Sequence, residues 1–203
     1  MGRRRRAAVA AVVVALLAAC SSSDQDDAPT VPVAEVAPVA DCMAPQVLAS
    51  LGLTPAPGTA ASVPSSAAPH VDAPDAGRVP ASFVATSVLE CTPGGTLVDA
   101  VGTWSSVRAV RLDGDTTALE SALALDDAAP AQCSSAQAPI ELWLVDALAR
   151  AVRAWVPDAG CAGVPRDEVV DALVALEVTD TTTYPVGLLE PASTPSPTSA
   201  PTP

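Results

Sequence analysis

Apolar and polar positions alternate with the period of a β-strand in the central part of the chain. Residues 83–91 are rich in β-branched side chains and predict a first strand, followed by turn residues at 92–95 and a second strand at 103–112. The pattern then changes to the helical period, and Thr117 and Glu120 have the spacing of a capping box. Two strands and a helix are therefore expected in this order.

The same order of elements recurs further along the chain. Apolar runs at residues 140–145 and 152–156 predict two more strands, and a second helix with an apolar stripe begins near Pro165. Residues 178–186, rich in threonine and valine, predict a closing strand. We therefore expect a small two-layer α+β domain over residues 81–188, with the pattern strand, strand, helix occurring twice before the last strand.

One link between two predicted strands has an alternative interpretation. Residues 146–150 are good helix formers and lack the residues typical of a tight hairpin. A single helix over residues 139–155 is therefore an alternative to two strands. The β-rich residues on both sides favour the hairpin, which is the structure we expect.

The chain begins with a different pattern, in which Arg3, Arg4, Arg5 and Arg6 precede an apolar run of 13 residues from Ala7 to Ala19. Because a helix needs roughly 20 residues to cross the hydrocarbon core, this run is too short for a permanent membrane span. A basic patch before a short apolar run is typical of an export signal, by the general or the twin-arginine route. Residues 1–19 are thus predicted to be a signal peptide that is removed.

The end of this segment, Leu-Ala-Ala-Cys at residues 17–20, resembles the lipobox of bacterial lipoproteins. The resemblance implies that Cys20 carries a diacylglycerol and becomes the first residue of the mature chain. Two acyl chains hold a protein on a bilayer, so we expect membrane lipid as a partner and the extracytoplasmic face of the cell membrane as the location. The alternative is an ordinary secretory signal in which Cys20 is incidental.

Composition divides the rest of the mature chain. Residues 20–40 are acidic and then proline-rich, which predicts a disordered tether that begins at the lipidated cysteine. Residues 41–80 predict a short helix and a Pro/Ala-rich loop attached to the domain. Residues 189–203, rich in proline, serine and threonine, predict a disordered tail because they bury too little apolar surface to offset the entropy of ordering.

Charge narrows the possible partners and chemistries. The chain has 23 acidic residues and 10 basic ones, and all the basic ones are arginine. Loss of the signal removes four arginines, which leaves six arginines against 23 acids and a net charge of −17. This charge disfavours nucleic acid, whose phosphates require basic partners. The absence of lysine excludes Schiff-base chemistry and the phosphate-binding lysine of P-loops.

Four cysteines remain beside the lipidated one, and an even number in an exported chain predicts two disulfides. Three pairings are possible from the sequence. We favour Cys42 with Cys91 and Cys133 with Cys161, because each bond then closes its own half of the chain. A metal or redox site is not favoured, since no two cysteines are separated by two residues and His70 is the single histidine.

Carboxylates are the remaining groups with catalytic or metal-binding chemistry. Several surround the first predicted helix, where a calcium site or a glycosidase pair would need them. Helix capping accounts for the same residues, and the calcium-loop pattern is incomplete. We therefore expect no catalytic residue, metal or cofactor. The carboxylates in question are Asp113, Asp115, Glu120, Asp126 and Asp127.

Two further features have both a structural and a functional interpretation. Trp104, Trp143 and Trp155 would form a sugar-binding platform if they shared an exposed face, but in a domain so poor in aromatic residues we expect them in the core. His70 lies in the Pro/Ala-rich loop, where an exposed residue is expected rather than a catalytic base. The chain also lacks a Gly-x-Ser-x-Gly nucleophile motif.

The whole chain is similar to a group of short, uncharacterised lipoproteins of the actinobacterial cell envelope, which combine a lipobox, a Pro/Ala-rich tether and a small disulfide-bonded domain. Residues 155–161, before an acidic helix, add to the resemblance. It implies an envelope location and no particular activity. We expect a non-catalytic binding or accessory protein whose partner is an envelope protein, a glycan or a small ligand. The alternative is an envelope hydrolase that uses acidic residues.

Overall fold

The computed structural model of the protein describes residues 31–53, 70–133 and 138–192. The predicted signal peptide, the lipobox and Cys20 lie outside the described residues, as does most of the predicted tail. No helix in the described ranges is long and apolar enough to cross a membrane.

The described part has a mixed α+β fold that is mostly sheet, which agrees with the predicted class. Six antiparallel strands form one sheet in the order β1-β5-β4-β2-β3-β6. The elements are β1 Val36–Ala37, α1 Pro45–Ser50, β2 Ser87–Val98, β3 Gly102–Asp113, α2 Thr117–Leu123, β4 Glu141–Val145, β5 Ala151–Ala154, α3 Asp167–Val174 and β6 Glu177–Pro191.

Helices cover both faces of this sheet. Successive side chains of a strand point to opposite faces, so Leu142 and Leu144 of β4 share one face and Trp143 and Val145 the other. The first pair belongs to a core formed with α2 and α3, and we name this side the helical face. The second pair packs with Val47 and other residues of α1. The expectation of two layers is therefore wrong, because the segment before β2 adds a third layer.

Part of the predicted tether belongs to the fold. Val33 bridges Arg78, and β1 pairs with β5 at the edge of the sheet. Ala34 and Ala37 are buried there. The expectation of disorder up to residue 40 is therefore wrong for residues 31–40, because small side chains fit under a short edge strand even where prolines dominate the composition.

The turn predicted at residues 92–95 is instead a bulge inside β2. The β2–β3 register shifts between Pro93 and Gly95, and Gly95 has a φ of 77°. Proline is tolerated here because β4 pairs with β2 only as far as Cys91, which leaves one side of β2 without a partner strand. The actual turn follows Val98.

A hairpin rather than a helix joins β4 and β5. The Asp146 carboxylate accepts hydrogen bonds from the backbone N–H groups of Leu148 and Arg150, both at 2.9 Å. It also forms an ion pair with the Arg150 guanidinium at 2.7 Å. Ala149 takes up the positive φ of 61° that the turn requires. One side chain therefore compensates for the missing turn residues.

The free edge of β6 is interrupted. Three register shifts against β3 leave Thr179, Val186 and Leu189 as bulged residues, and Pro185 lies between them. Bulges and proline limit the pairing of an edge strand with another chain. The strand ends at Pro191, three residues beyond the predicted end of the domain at 188.

Two disulfides join the pairs favoured by the sequence. Cys42–Cys91 fastens the segment before α1 to β2, and both of its cysteines are buried. Cys133–Cys161 joins the loop after α2 to the loop before α3, and Cys133 is exposed. The two bonds therefore differ in their access to solvent reagents.

A buried ion pair lies beneath α1. Arg153 is only 6% exposed, and its Nε donates to Glu141 Oε2 at 2.7 Å. Its terminal nitrogens donate to Ser50 Oγ at 3.1 Å and to the Pro74 carbonyl oxygen at 3.3 Å. The guanidinium thus connects two strands, α1 and the loop before β2.

Candidate functional site on the helical face of the sheet

The carboxylates around α2 stabilise local structure. Asp115 accepts the Thr117 N–H at 3.0 Å, and Glu120 bonds to the Thr116 hydroxyl at 2.9 Å. The others engage a loop or an arginine: Asp127 accepts the Asp158 N–H, Asp126 pairs with Arg78, and Asp113 lies 3.6 Å from Arg111. Within the described ranges no group of three or more histidine, cysteine or acidic side chains is placed to hold a metal ion.

The tryptophans do not share an exposed face. Trp143 is buried in the core beneath α1. Trp104 is buried near the β2–β3 turn, where its indole N–H donates to Asp99 at 2.9 Å. This bond, together with backbone N–H donors, lowers the pKa of Asp99. Trp155 is half-buried, and the exposed His70 pairs with Asp41 at 2.7 Å.

A different group of residues comes together on the helical face, where β2, β3 and β6 run side by side. Arg108 of β3 is paired across the sheet with Thr92 on one side and Thr183 on the other. One step along, Val110 is paired with Glu90 and Thr181. Val110 belongs to the core under α2 and α3, so all of these side chains lie on the helical face. We name this set the polar patch: Glu90, Thr92, Arg108, Thr181 and Thr183.

Polar groups of the patch lack partners in the described part of the chain. Five of the six arginines there form ion pairs, and Arg108 is the exception. The opposite face of the same strands differs, since Arg111 donates to Ser87 Oγ at 2.8 Å and Thr182 donates to Asp180 at 3.1 Å. Arg111 and Thr182 on one face are therefore bonded to side chains of the protein, whereas among the described residues Arg108 and Thr183 on the other face are not.

Thr92 adds a buried unsatisfied group. Its Oγ1 is shielded from solvent and has no hydrogen-bond partner among the described residues. Leaving a buried hydroxyl unpaired costs about 1–3 kcal/mol, so native proteins retain few such groups. The unpaired hydroxyl of Thr92 is therefore expected to lower the stability of the fold at the patch.

Glu90 is half-buried at the margin of the helical layer. Burial raises the pKa of its carboxyl above the ordinary value, and the positive charge of Arg108 offsets part of this rise. Glu90 therefore takes up a proton at a higher pH than an exposed glutamate does.

We expect Glu90→Gln to stabilise the protein at neutral pH. Because the folded state favours the protonated form of a carboxyl with a raised pKa, this group stabilises the fold fully at pH values below its unfolded pKa of about 4.3. The stabilisation is lost as the pH rises through the pKa of the carboxyl in the folded state. The gain in unfolding free energy over the wild type should therefore be present near neutral pH and vanish below about pH 4. Urea denaturation across this range measures it.

Glu177→Gln, at an exposed position of β6, is the matched control and should show no comparable gain. An equal gain for Glu90→Gln at every pH would show that the effect comes from side-chain volume rather than charge.

Exposed valines occur on α3 and on β6, and we name this set the apolar strip. The side of α3 towards α2 carries Asp171, Ala172 and Ala175, and by helical periodicity Val170 and Val174 lie on the other side. The side of α2 that faces away from α3 lies next to residues 78–83. Gly77, just before this segment, forms a β-bridge with Ala154 of β5.

Val178 continues the strip on β6. It pairs with Leu112 of the helical-face core and is 58% exposed. Val170 and Val174 are 43% and 79% exposed. Of these valines, Val178 lies on the same face of β6 as Thr181 of the polar patch.

Sequence reasoning missed the patch, although the signal was present. Glu90 is two residues from Val88, and Arg108 is two residues from Val110, so period-two alternation places both charged residues on the core face of their strands. A charged residue on an otherwise apolar face is the informative exception. What the sequence does not reveal is that the two strands meet at these positions.

No protein-family model matches this chain, and comparisons with curated proteins and with solved structures find no significant similarity.

Proposed function

We propose that this protein is a lipid-anchored binding protein on the extracytoplasmic face of a bacterial membrane, and that the polar patch is its ligand-binding surface. The observation that carries this proposal is the group of partnerless polar side chains on one face of three paired strands. The exposed members of this group, Arg108, Thr181 and Thr183, are available to a ligand. On the opposite face, Arg111 and Thr182 are already bonded to other side chains.

The anchor part of the proposal rests on the signal and the lipobox at Cys20. Acylation would hold the domain at the membrane despite its strong negative charge, since each buried methylene contributes about 0.8 kcal/mol.

Binding is favoured over hydrolysis by the distribution of carboxylates. A glycosidase of the usual type needs two carboxyl groups roughly 5–10 Å apart across the scissile bond. Within β2, β3 and β6 the strand pairing assigns Glu177, Asp180 and Glu190 to the face opposite Glu90. Glu90 therefore has no second carboxylate beside it on its own face of these three strands.

A cellular experiment tests both parts. The full-length protein, Cys20→Ala, Arg108→Gln and Arg111→Gln are expressed in the parent bacterium, cells are fractionated, and intact cells are treated with a cross-linker. We expect the wild type in the membrane fraction and Cys20→Ala released from it. We expect a cross-linked complex with the wild type and with Arg111→Gln, but at least about tenfold less with Arg108→Gln.

Two results would contradict the proposal. Membrane retention of Cys20→Ala with its signal segment still attached would replace the lipid anchor by a retained signal. Equal cross-linking of Arg108→Gln and Arg111→Gln would remove the polar patch as the binding surface. Arg111→Gln is a demanding control because Arg111 lies on the same strand and already bonds to Ser87.

A further inference from the structure

The chemistry of the polar patch points to a particular class of ligand. A guanidinium presents five N–H donors in a planar fork that matches a carboxylate or a phosphate. The Arg108 guanidinium forms no salt bridge within the described part of the chain, and Glu90 is the acidic group that acts on it from a longer distance. On the neighbouring strand, the exposed hydroxyl donor of Thr183 lies directly across from Arg108, about 5 Å away, and that of Thr181 lies diagonally, about 7–8 Å away. Donors therefore dominate the exposed part of the patch, and an acceptor group is the complementary ligand.

The charge of the chain selects among acceptors. With 23 acids against 10 basic residues before processing, the protein repels multiply charged anions. A single arginine balances one negative charge, so a carboxylate fits better than a doubly charged phosphate. Val178, which is exposed on the same face of β6 as Thr181, favours an apolar group next to that carboxylate.

Glu90 is the group that opposes an anion at this position. When ionised, it competes with the ligand for Arg108 and repels the incoming carboxylate. When protonated, its charge disappears and its hydroxyl becomes a donor. Burial already favours the protonated form.

On the basis of the proposed binding function, we propose that Arg108, Thr181 and Thr183 bind the carboxylate of a ligand that carries an adjacent apolar group, and that protonation of Glu90 strengthens this binding. The affinity then increases as the pH falls through the range in which Glu90 takes up its proton.

Among the described residues around Glu90, the Glu90 carboxyl is the group to which we attribute this pH dependence. Arg108 is the charged residue that acts on it from β3. The cross-strand neighbours are Leu142 from β4 and, beyond Val110, Thr181 from β6. From the helices, α2 and α3 direct Leu119, Val169 and Leu173 into the core. The α3 acids Asp167, Glu168 and Asp171 are exposed, Glu120 of α2 bonds to Thr116, and His70 pairs with Asp41.

Calorimetric titration of the full-length protein in neutral detergent tests the inference. The probes are the tripeptide acetyl-Ala-Leu-Leu with a free carboxylate, the same peptide as its amide, and hexanoate as a non-peptide carboxylate. We expect the affinity of the free acid to increase by up to about tenfold as the pH is lowered from about 7.5 through the titration of Glu90, and the amide to show no saturable binding at any pH of the series. Comparison with hexanoate shows whether the peptide part contributes.

Substitutions of the patch residues show which side chains cause the binding and its pH dependence. Glu90→Gln should bind the free acid at about pH 7.5 as tightly as the wild type does at the acidic end of the Glu90 titration. Arg108→Gln should bind at least about tenfold more weakly at both pH values, whereas Arg111→Gln should match the wild type. Thr181→Val and Thr183→Val should each weaken binding, with Thr182→Val on the opposite face as their control.

Three results would overturn the inference. They are an amide that binds as well as the acid, a pH dependence that persists in Glu90→Gln, and no saturable binding of either carboxylate at the acidic end of the Glu90 titration. If the cellular cross-linking still depends on Arg108 in that event, the polar patch remains the binding surface and its ligand is of another class. If the cross-linking does not depend on Arg108, the proposed function fails as well.

Discussion

Arg153→Met is expected to lower the free energy of unfolding by about 3–5 kcal/mol, the largest effect of any single substitution considered for this chain. The loss arises because Glu141 would remain in a poorly solvated position without its guanidinium partner. Ser50 and the Pro74 carbonyl oxygen would lose their hydrogen bonds from the same side chain. Chemical denaturation with urea at neutral pH measures the loss.

A double substitution separates the charge from the packing. Arg153→Met combined with Glu141→Leu removes both charges and should recover most of the lost stability, because buried ion pairs are often replaceable by apolar residues of similar size. Arg150→Met is the control, since the Arg150 side chain is mostly exposed in its pair with Asp146 and should cost about 1 kcal/mol or less. A double variant no more stable than Arg153→Met would mean that packing, not the unpaired charge, dominates.

Removal of the Cys42–Cys91 disulfide by substitution of both cysteines with alanine should destabilise the protein by about 4 kcal/mol. The bond closes a loop of 49 residues, and the entropy of the unfolded chain rises when that loop is released. The same bond fastens the layer containing α1 to the central strand β2. Urea denaturation, with attention to the slope of the transition, detects both the loss of stability and any separate unfolding of this layer.

Cys133–Cys161 provides the comparison. Its loop of 28 residues gives a loss of about 3.5 kcal/mol in the same loop model. Because Cys133 is exposed while Cys42 and Cys91 are buried, a mild reductant should open Cys133–Cys161 first, with the other bond opening only on unfolding. Alkylation and mass spectrometry of the native protein follow the order. Simultaneous reduction of both bonds under native conditions would show that the layer with α1 detaches readily.

Predictability from the sequence was highest where local signals agree. The alternation in β3 and the apolar stripe of α3 fix these elements within one or two residues, because periodicity and burial act over a few neighbouring residues. Cysteine count and spacing favoured the observed disulfide pairs. Residues 31–40 were misassigned because proline-rich composition outweighed a two-residue pairing that only the neighbouring strand β5 makes possible.

In two segments, other interactions outweigh the local propensity of the residues to form a turn or a helix. Pro93, Gly94 and Gly95 are typical turn residues, yet the strand continues through them because β3 pairs with both sides of the bulge. Asp146 shows the reverse case, since a single carboxylate forms a turn among residues that favour a helix. Long-range pairing therefore outweighed local propensity in the first segment, and a side-chain hydrogen bond did so in the second.

The sequence by itself determined the α+β class, the two disulfides as the expected covalent framework, the strong negative charge and the prediction of an export signal with a lipobox. These properties depend on composition, short spacing and local periodicity. Only the tertiary structure decided that helices cover both faces of the sheet and that Glu90, Arg108 and Thr183 lie on one face of adjacent strands. Residues far apart in the chain meet only when strand order and register are set, and these depend on packing across the whole sheet.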